Sequence, residues 1–175
     1  GSNWSELGGL DGLGANDYIY ALYADAAGNI YAGGVFSNGN GNCYLAKFNG
    51  NSWSEVGGVD GLAADDGIYS ICGDGSGNIY VAGAFENNAF NSYVAKYNGT
   101  SWSELGVLDA IGSGDIISSI CCDPSGNVYA AGYFTNASGK FFVAKYNGSA
   151  WNELGGNNGL GGNDEIHTIC SDPSG

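Results

Sequence analysis

The chain has 175 residues, 43% of them hydrophobic, which is enough for a substantial core and argues against a disordered polymer. Eighteen acidic residues against four basic ones leave a formal charge of −14, so neither nucleic-acid phosphate nor an anionic membrane surface is expected as a partner. Gly contributes 33 residues and Pro only 2, a balance that suits many tight turns between short strands, and no stretch reaches the apolar length needed to cross a bilayer.

Gly1-Ser2 read as a cloning scar, and the residues after them carry neither the basic segment nor the apolar run of a secretory signal. The acidic, Asn/Ser/Gly-rich surface leads us to expect an extracellular or cell-surface setting, with its export signal missing from this sequence. From residue 3 onward the chain repeats. Trp4, Trp53, Trp102 and Trp151 stand 49 residues apart without a slip. On that frame Asp25, Asp74, Asp123 and Asp172 coincide, as do Gly28, Gly77, Gly126 and Gly175, and so do Phe36, Phe85 and Phe134.

Taken in chain order, the sequence opens on an outer strand at Trp4 and a connection (3–16). Three repeats follow (17–56, 57–105, 106–154), and 155–175 begin a fourth. The second repeat shows the expected elements most clearly. A first strand covers 68–73, and Asp74-Gly75-Ser76-Gly77 turns into a second strand over 78–85. A third strand covers about 92–97, and Asn98-Gly99 reverses the chain into a fourth over 101–106. No window carries a sustained 3.6-residue apolar period with caps, so essentially no helix is expected.

The second strands are small in the middle, with Ala32-Gly33-Gly34, Val81-Ala82-Gly83 and Ala130-Ala131-Gly132, while large residues such as Phe85, Tyr97 and Trp102 lie toward the ends and the outer strands. Sheets that converge at one end and diverge at the other need this grading. The predicted fold is therefore all-β, a β-propeller of four-stranded antiparallel blades with about three and a half blades in this chain, forming one array over 3–175. The segments Trp-Ser-Glu-Leu-Gly, Asp-Pro-Ser-Gly-Asn-Val-Tyr and Val-Ala-Lys-Tyr-Asn-Gly resemble the repeats of bacterial extracellular β-propellers, in the kelch-like and related group. The resemblance spans nearly the whole chain and concerns turn and packing residues, so it implies architecture and leaves chemistry open.

Counting one outer strand, three blades and one inner strand gives fourteen strands, so two chains would supply a seven-bladed ring. A homo-oligomer is accordingly expected. Catalytic signals are sparse. His167, the single histidine, aligns with Tyr20, Tyr69 and Ser118 and reads as a variable strand position. Cys72, Cys121 and Cys170 share one repeat position and read as buried free thiols in preference to metal ligands or a disulfide. Lys47, Lys96 and Lys145 are expected to pair diagonally with Glu55, Glu104 and Glu153 across the Asn-Gly hairpins.

Acidic residues recur between repeats, with Asp11, Asp60 and Asp109 at one position and Asp17, Asp66, Asp115 and Asp164 at another. These seven are the candidate ligand-binding residues. Calcium or a sugar would suit such oxygen-rich loops, whereas Asx-type turn capping is the structural alternative. No catalytic residue, resident metal or cofactor is assigned. The expected function is a non-catalytic scaffold or interaction module that completes a ring by self-association. The alternatives are a multivalent lectin binding a glycan and, further off, a carboxylate-dependent hydrolase or lyase.

Overall fold

A computed structural model describes residues 3–10, 12–106 and 115–172. It contains twelve strands and, among the described residues, no helix. They form three four-stranded antiparallel sheets in simple up-and-down order. The first blade comprises β1 (Ile19–Ala24), β2 (Ile30–Gly34), β3 (Ala46–Phe48) and β4 (Trp53–Glu55). The second comprises β5 (Ile68–Gly73), β6 (Ile79–Gly83), β7 (Ala95–Tyr97) and β8 (Trp102–Glu104). The third comprises β9 (Ile116–Cys122), β10 (Val128–Tyr133), β11 (Ala144–Tyr146) and β12 (Trp151–Glu153). The all-β, propeller-like arrangement of blades follows the sequence pattern.

The β1–β2, β5–β6 and β9–β10 turns share one design. Asp74 Oδ1 accepts from the backbone N–H groups of Ser76 and Asn78, and its Oδ2 accepts from Asn78 Nδ2 at 2.7 Å and Tyr80 Oη at 2.9 Å. Asp25 and Asp123 repeat these bonds with Asn29 and Tyr31 and with Asn127 and Tyr129. Gly77 closes the turn at a φ of 85°, where a side chain would be strained. Burial alone would push the Asp74 carboxyl up, but the bonds from Asn78, Tyr80 and Ser76 outweigh it and hold the carboxyl below its ordinary value.

The ammonium groups of Lys47, Lys96 and Lys145 lie over the rings of Tyr31, Tyr80 and Tyr129, at 5.5, 5.7 and 5.3 Å from the centroids. This corrects the expected Lys–Glu pairing. The β3–β4 register sets Lys47 opposite Ser54 and Ala46 opposite Glu55, so Lys47 and Glu55 belong to opposite faces of the sheet. Each lysine instead stacks on its cross-strand tyrosine in β2, β6 or β10.

Blades pack face to face through the predicted small-to-large grading. A Cβ added at Gly33 would meet Ile68 Cγ2 at 2.6 Å, so this glycine permits the close approach of the next blade. Gly83 has a different reason: its Cβ would lie 1.9 Å from the carbonyl oxygen of Gly67, beside the register shift between β5 and β6 within one blade. Phe36, Phe85 and Phe134 are fully buried.

Two further expectations change. Cys72 and Cys122 form a disulfide across the second and third blades, with Cα atoms 6.0 Å apart. Inner strands of adjacent blades lie close enough for bonding, so the inferred separation of equivalent positions does not keep residue n from residue n+50. Of the other thiols, Cys43 is buried, Cys121 half-buried and Cys170 exposed. The strands expected at Trp4 and after residue 164 are not formed: 3–10 and 165–172 run without ladder pairing.

Candidate functional site

Of the seven candidate carboxylates, the five in the described residues take different roles. Asp11 and Asp109 lie outside the described residues. Asp60, at a φ of 57°, is held by three amides, receiving Asn38 Nδ2 and Asn42 Nδ2 at 2.8 Å each and a further bond from Asn40 Nδ2. The bonds from Asn42, Asn38 and Asn40 lower its carboxyl from the ordinary value. Asp17, Asp66 and Asp164 each accept from the next residue's backbone N–H, at 2.8, 2.6 and 2.9 Å. Their observed bonds are those of connection locking.

Asp66 and Asp115 come together with Asp65 and Glu86 along a cleft of about 350 Å³ beside Ile116, at the start of β9. Among the described residues no group of three or more His, Cys, Asp or Glu side chains has a geometry that could hold a metal ion. His167 is exposed, 3.6 Å from Glu165, and Glu165 accepts from Ser118 Oγ at 2.7 Å.

A second set of residues, not singled out in the sequence, builds equivalent clefts. Trp53 on β4, Tyr44 before β3, Asn38 and Glu55 line a cavity of about 240 Å³ closed by Leu13 of the preceding connection. Trp102, Tyr93, Asn87 and Glu104 line its counterpart of about 400 Å³, closed by Leu62. Each aromatic is fixed from behind. Phe36 packs edge-on to Tyr44 and Phe85 edge-on to Tyr93, with centroids 4.9 Å apart in both pairs. The indole N–H groups of Trp53, Trp102 and Trp151 donate to the carbonyls of Leu7, Val56 and Leu105, each 46 residues earlier.

The polar wall is fixed too. Asn87 Nδ2 donates to Glu104 Oε1 at 2.9 Å, while Asn87 Oδ1 accepts from the backbone of Ala89 and Asn91 and so shapes the loop before β7. Asn38 with Glu55 and Asn136 with Glu153 repeat the amide–carboxylate pairing. Burial foremost, then the charges of Glu104 and Asp65, push the Tyr93 phenol up to about 12. Tyr93 therefore stays neutral at physiological pH and faces a carboxylate. In the third blade Phe142 stands where the others have tyrosine, edge-on to Phe134. The sequence signal for these clefts was present in the 49-residue recurrence of Trp and Glu, but which face they share depends on strand register.

No family model matches the chain, and no curated protein matches it. Among solved structures it is similar to a fucose lectin from Kordia zhangzhouensis in complex with methyl-fucoside, at 17% identity and a TM-score of 0.49, over 76% of this chain and 95% of the lectin. It is similar to a fungal alcohol oxidase of the AA5 family in complex with copper, at 16% identity and a TM-score of 0.49, over 76% of this chain and 29% of the oxidase. A protein of unknown function from Dyadobacter fermentans matches at 14% identity and a TM-score of 0.45, over 77% of this chain and half of that one.

Proposed function

We propose that the protein is a non-catalytic, multivalent binding module of kelch-like type whose clefts, each between a blade and the connection that precedes it, take a neutral carbohydrate. The observation that carries this reading is the recurrence of an aromatic pair beside a carboxylate and an amide, Tyr44, Trp53, Glu55 and Asn38 in one cleft and Tyr93, Trp102, Glu104 and Asn87 in the next. Sugar rings offer apolar C–H faces that pack on aromatic rings and hydroxyls that bond to fixed acceptors and donors, a pairing that mostly aromatic pockets with few polar groups provide. The formal charge of −14 opposes sulfated or uronic glycans and so favours neutral ones. Equivalent clefts duplicate a weak site, and a multivalent ligand gains avidity from that repetition.

A glycan array followed by calorimetric titration tests the proposal. Neutral glycans are expected to bind, and Glu104→Gln and Tyr93→Phe, which keep shape, are each expected to weaken the second cleft about tenfold, roughly 1.4 kcal/mol, with the melting temperature unchanged. An array blank for neutral glycans would overturn the assignment.

A further inference from the structure

Four residues other than glycine hold a positive φ among the described residues: Asp60 at 57°, Ala63 at 50°, Phe90 at 60° and Asn158 at 57°. Asp and Asn enter that region readily, because their short polar side chains bond locally. Alanine and phenylalanine do not, and a bulky side chain there is an outlier. Both of these residues belong to the second cleft. Ala63 is part of its wall beside Leu62, and Phe90 stands on the turn whose Asn87 and Asn88 line it.

The other repeats show what the turn itself requires. In the first and third blades the position of Phe90 is glycine, Gly41 at a φ of 85° and Gly139 at 69°. All three turns close with the same bond: the N–H of Gly41, Phe90 and Gly139 donates to the carbonyl of Asn38, Asn87 and Asn136 at 3.0, 2.8 and 2.9 Å. A Cβ added at Gly41 or Gly139 would meet nothing within 4 Å, so this position looks onto open space. Phe90 accordingly gains little from the rest of the protein. It is 68% exposed and belongs to none of the buried clusters. Ala63 likewise stands where Gly14 and Gly161 hold φ values of 62° and 64°. Neither the turn nor the core accounts for the ring, and strain that the fold does not need is characteristic of sites that meet a ligand.

We infer that Phe90 is a second stacking platform, so that the second cleft takes a neutral glycan at least two sugar rings long. This rests on the carbohydrate reading and adds the length of the ligand to it. One sugar lies against Trp102 and Tyr93 with its hydroxyls bonded to Glu104 and Asn87, and the next lies on Phe90 at the rim. The bonded turn keeps the Cα atoms of Asn87 and Phe90 within about 7 Å, a span that adjoining sugar units cover. Phenylalanine has no polar group, so it selects the apolar C–H face of that second ring. The first cleft has Gly41 in place of the platform and a volume of about 240 Å³ against about 400 Å³, which suits a single ring.

Calorimetry on the full chain tests this, with the neutral disaccharide that binds best on the glycan array and the methyl glycoside of each of its two sugars as probes. Phe90→Gly is expected to weaken the tight disaccharide site about fivefold, to leave the methyl glycosides unaffected, and to hold or raise the melting temperature. Phe90→Leu, apolar but without a ring face, should lose as much, and Phe90→Tyr should bind as the native chain does. Glu104→Gln, by contrast, should weaken disaccharide and methyl glycoside alike. Unchanged disaccharide binding in Phe90→Gly would overturn the inference and leave the carbohydrate reading standing. Equal losses for disaccharide and methyl glycoside, or a lowered melting temperature, would also overturn it, by making Phe90 part of the single-ring site or of the packing. Failure of every neutral glycan to bind the native chain would overturn both.

Discussion

Replacing Cys122 by Ser removes the disulfide that ties the second blade to the third, and its cost follows from the chain it closes. The bridge joins residues 50 apart, and a loop of that size lowers the entropy of the unfolded chain by an amount worth about 4 kcal/mol. Cys122 is half-buried, so a serine there adds little packing penalty, and Cys72 stays as a small buried thiol. With a guanidinium slope of about 4 kcal/mol/M the unfolding midpoint should fall by roughly 1 M. The assay is equilibrium denaturation followed by tryptophan fluorescence, run on the native chain with and without reductant and on Cys122→Ser. Reductant should move the native midpoint onto that of the variant and leave the variant where it was. A native midpoint insensitive to reductant would refute the cross-link and return these cysteines to the free thiols that the sequence suggested.

Other perturbations separate the remaining devices of the fold. Gly83→Ala drives a methyl group into the Gly67 carbonyl and should cost about 3 kcal/mol, read as a lowered melting temperature, whereas Gly75→Ala, with nothing within 4 Å, should leave it almost unchanged. Trp151→Phe keeps an aromatic but loses the 2.7 Å bond to the Leu105 carbonyl, a loss of about 1–2 kcal/mol that calorimetry would register. Asp123→Ala removes a buried carboxylate holding Ser125, Asn127 and Tyr129, and should cost about 2 kcal/mol at neutral pH. Burial raises the Asp123 carboxyl, but bonds from Asn127, Tyr129 and Ser125 outweigh it and hold it below its ordinary value in the folded state. Its contribution is therefore complete above the unfolded value and lost as pH falls through the lower folded one. Acid titrations of native and variant stability should converge only in that acidic window, and a constant gap down to the lowest pH would contradict the assignment.

The repeat legible in the sequence carried a great deal of the architecture. An Asp that can accept bonds from the turn it opens, a Gly tolerant of positive φ and a Trp every 49 residues are local instructions, and β5 formed over the residues expected for it. The candidate site was less legible. Asp60 drew attention as an acidic loop residue, yet three asparagine amides from the preceding blade occupy its carboxylate. Tyr93 passed unnoticed because one tyrosine among twelve carries no mark until register sets it beside Glu104 and Asn87. Lys47 was assigned to Glu55 because both flank one hairpin, and only the pairing of β3 with β4 shows that they belong to opposite faces.

By itself the sequence determined the repeat unit, the turns and the all-β character, since these arise from interactions among residues close along the chain. The tertiary structure alone decided what meets at longer range: the bond between Cys72 and Cys122, the seat of the Trp53, Trp102 and Trp151 indoles on carbonyls 46 residues earlier, and the aromatic clefts. Those depend on the angle and offset between sheets, which side-chain packing sets at long range and which no local pattern encodes.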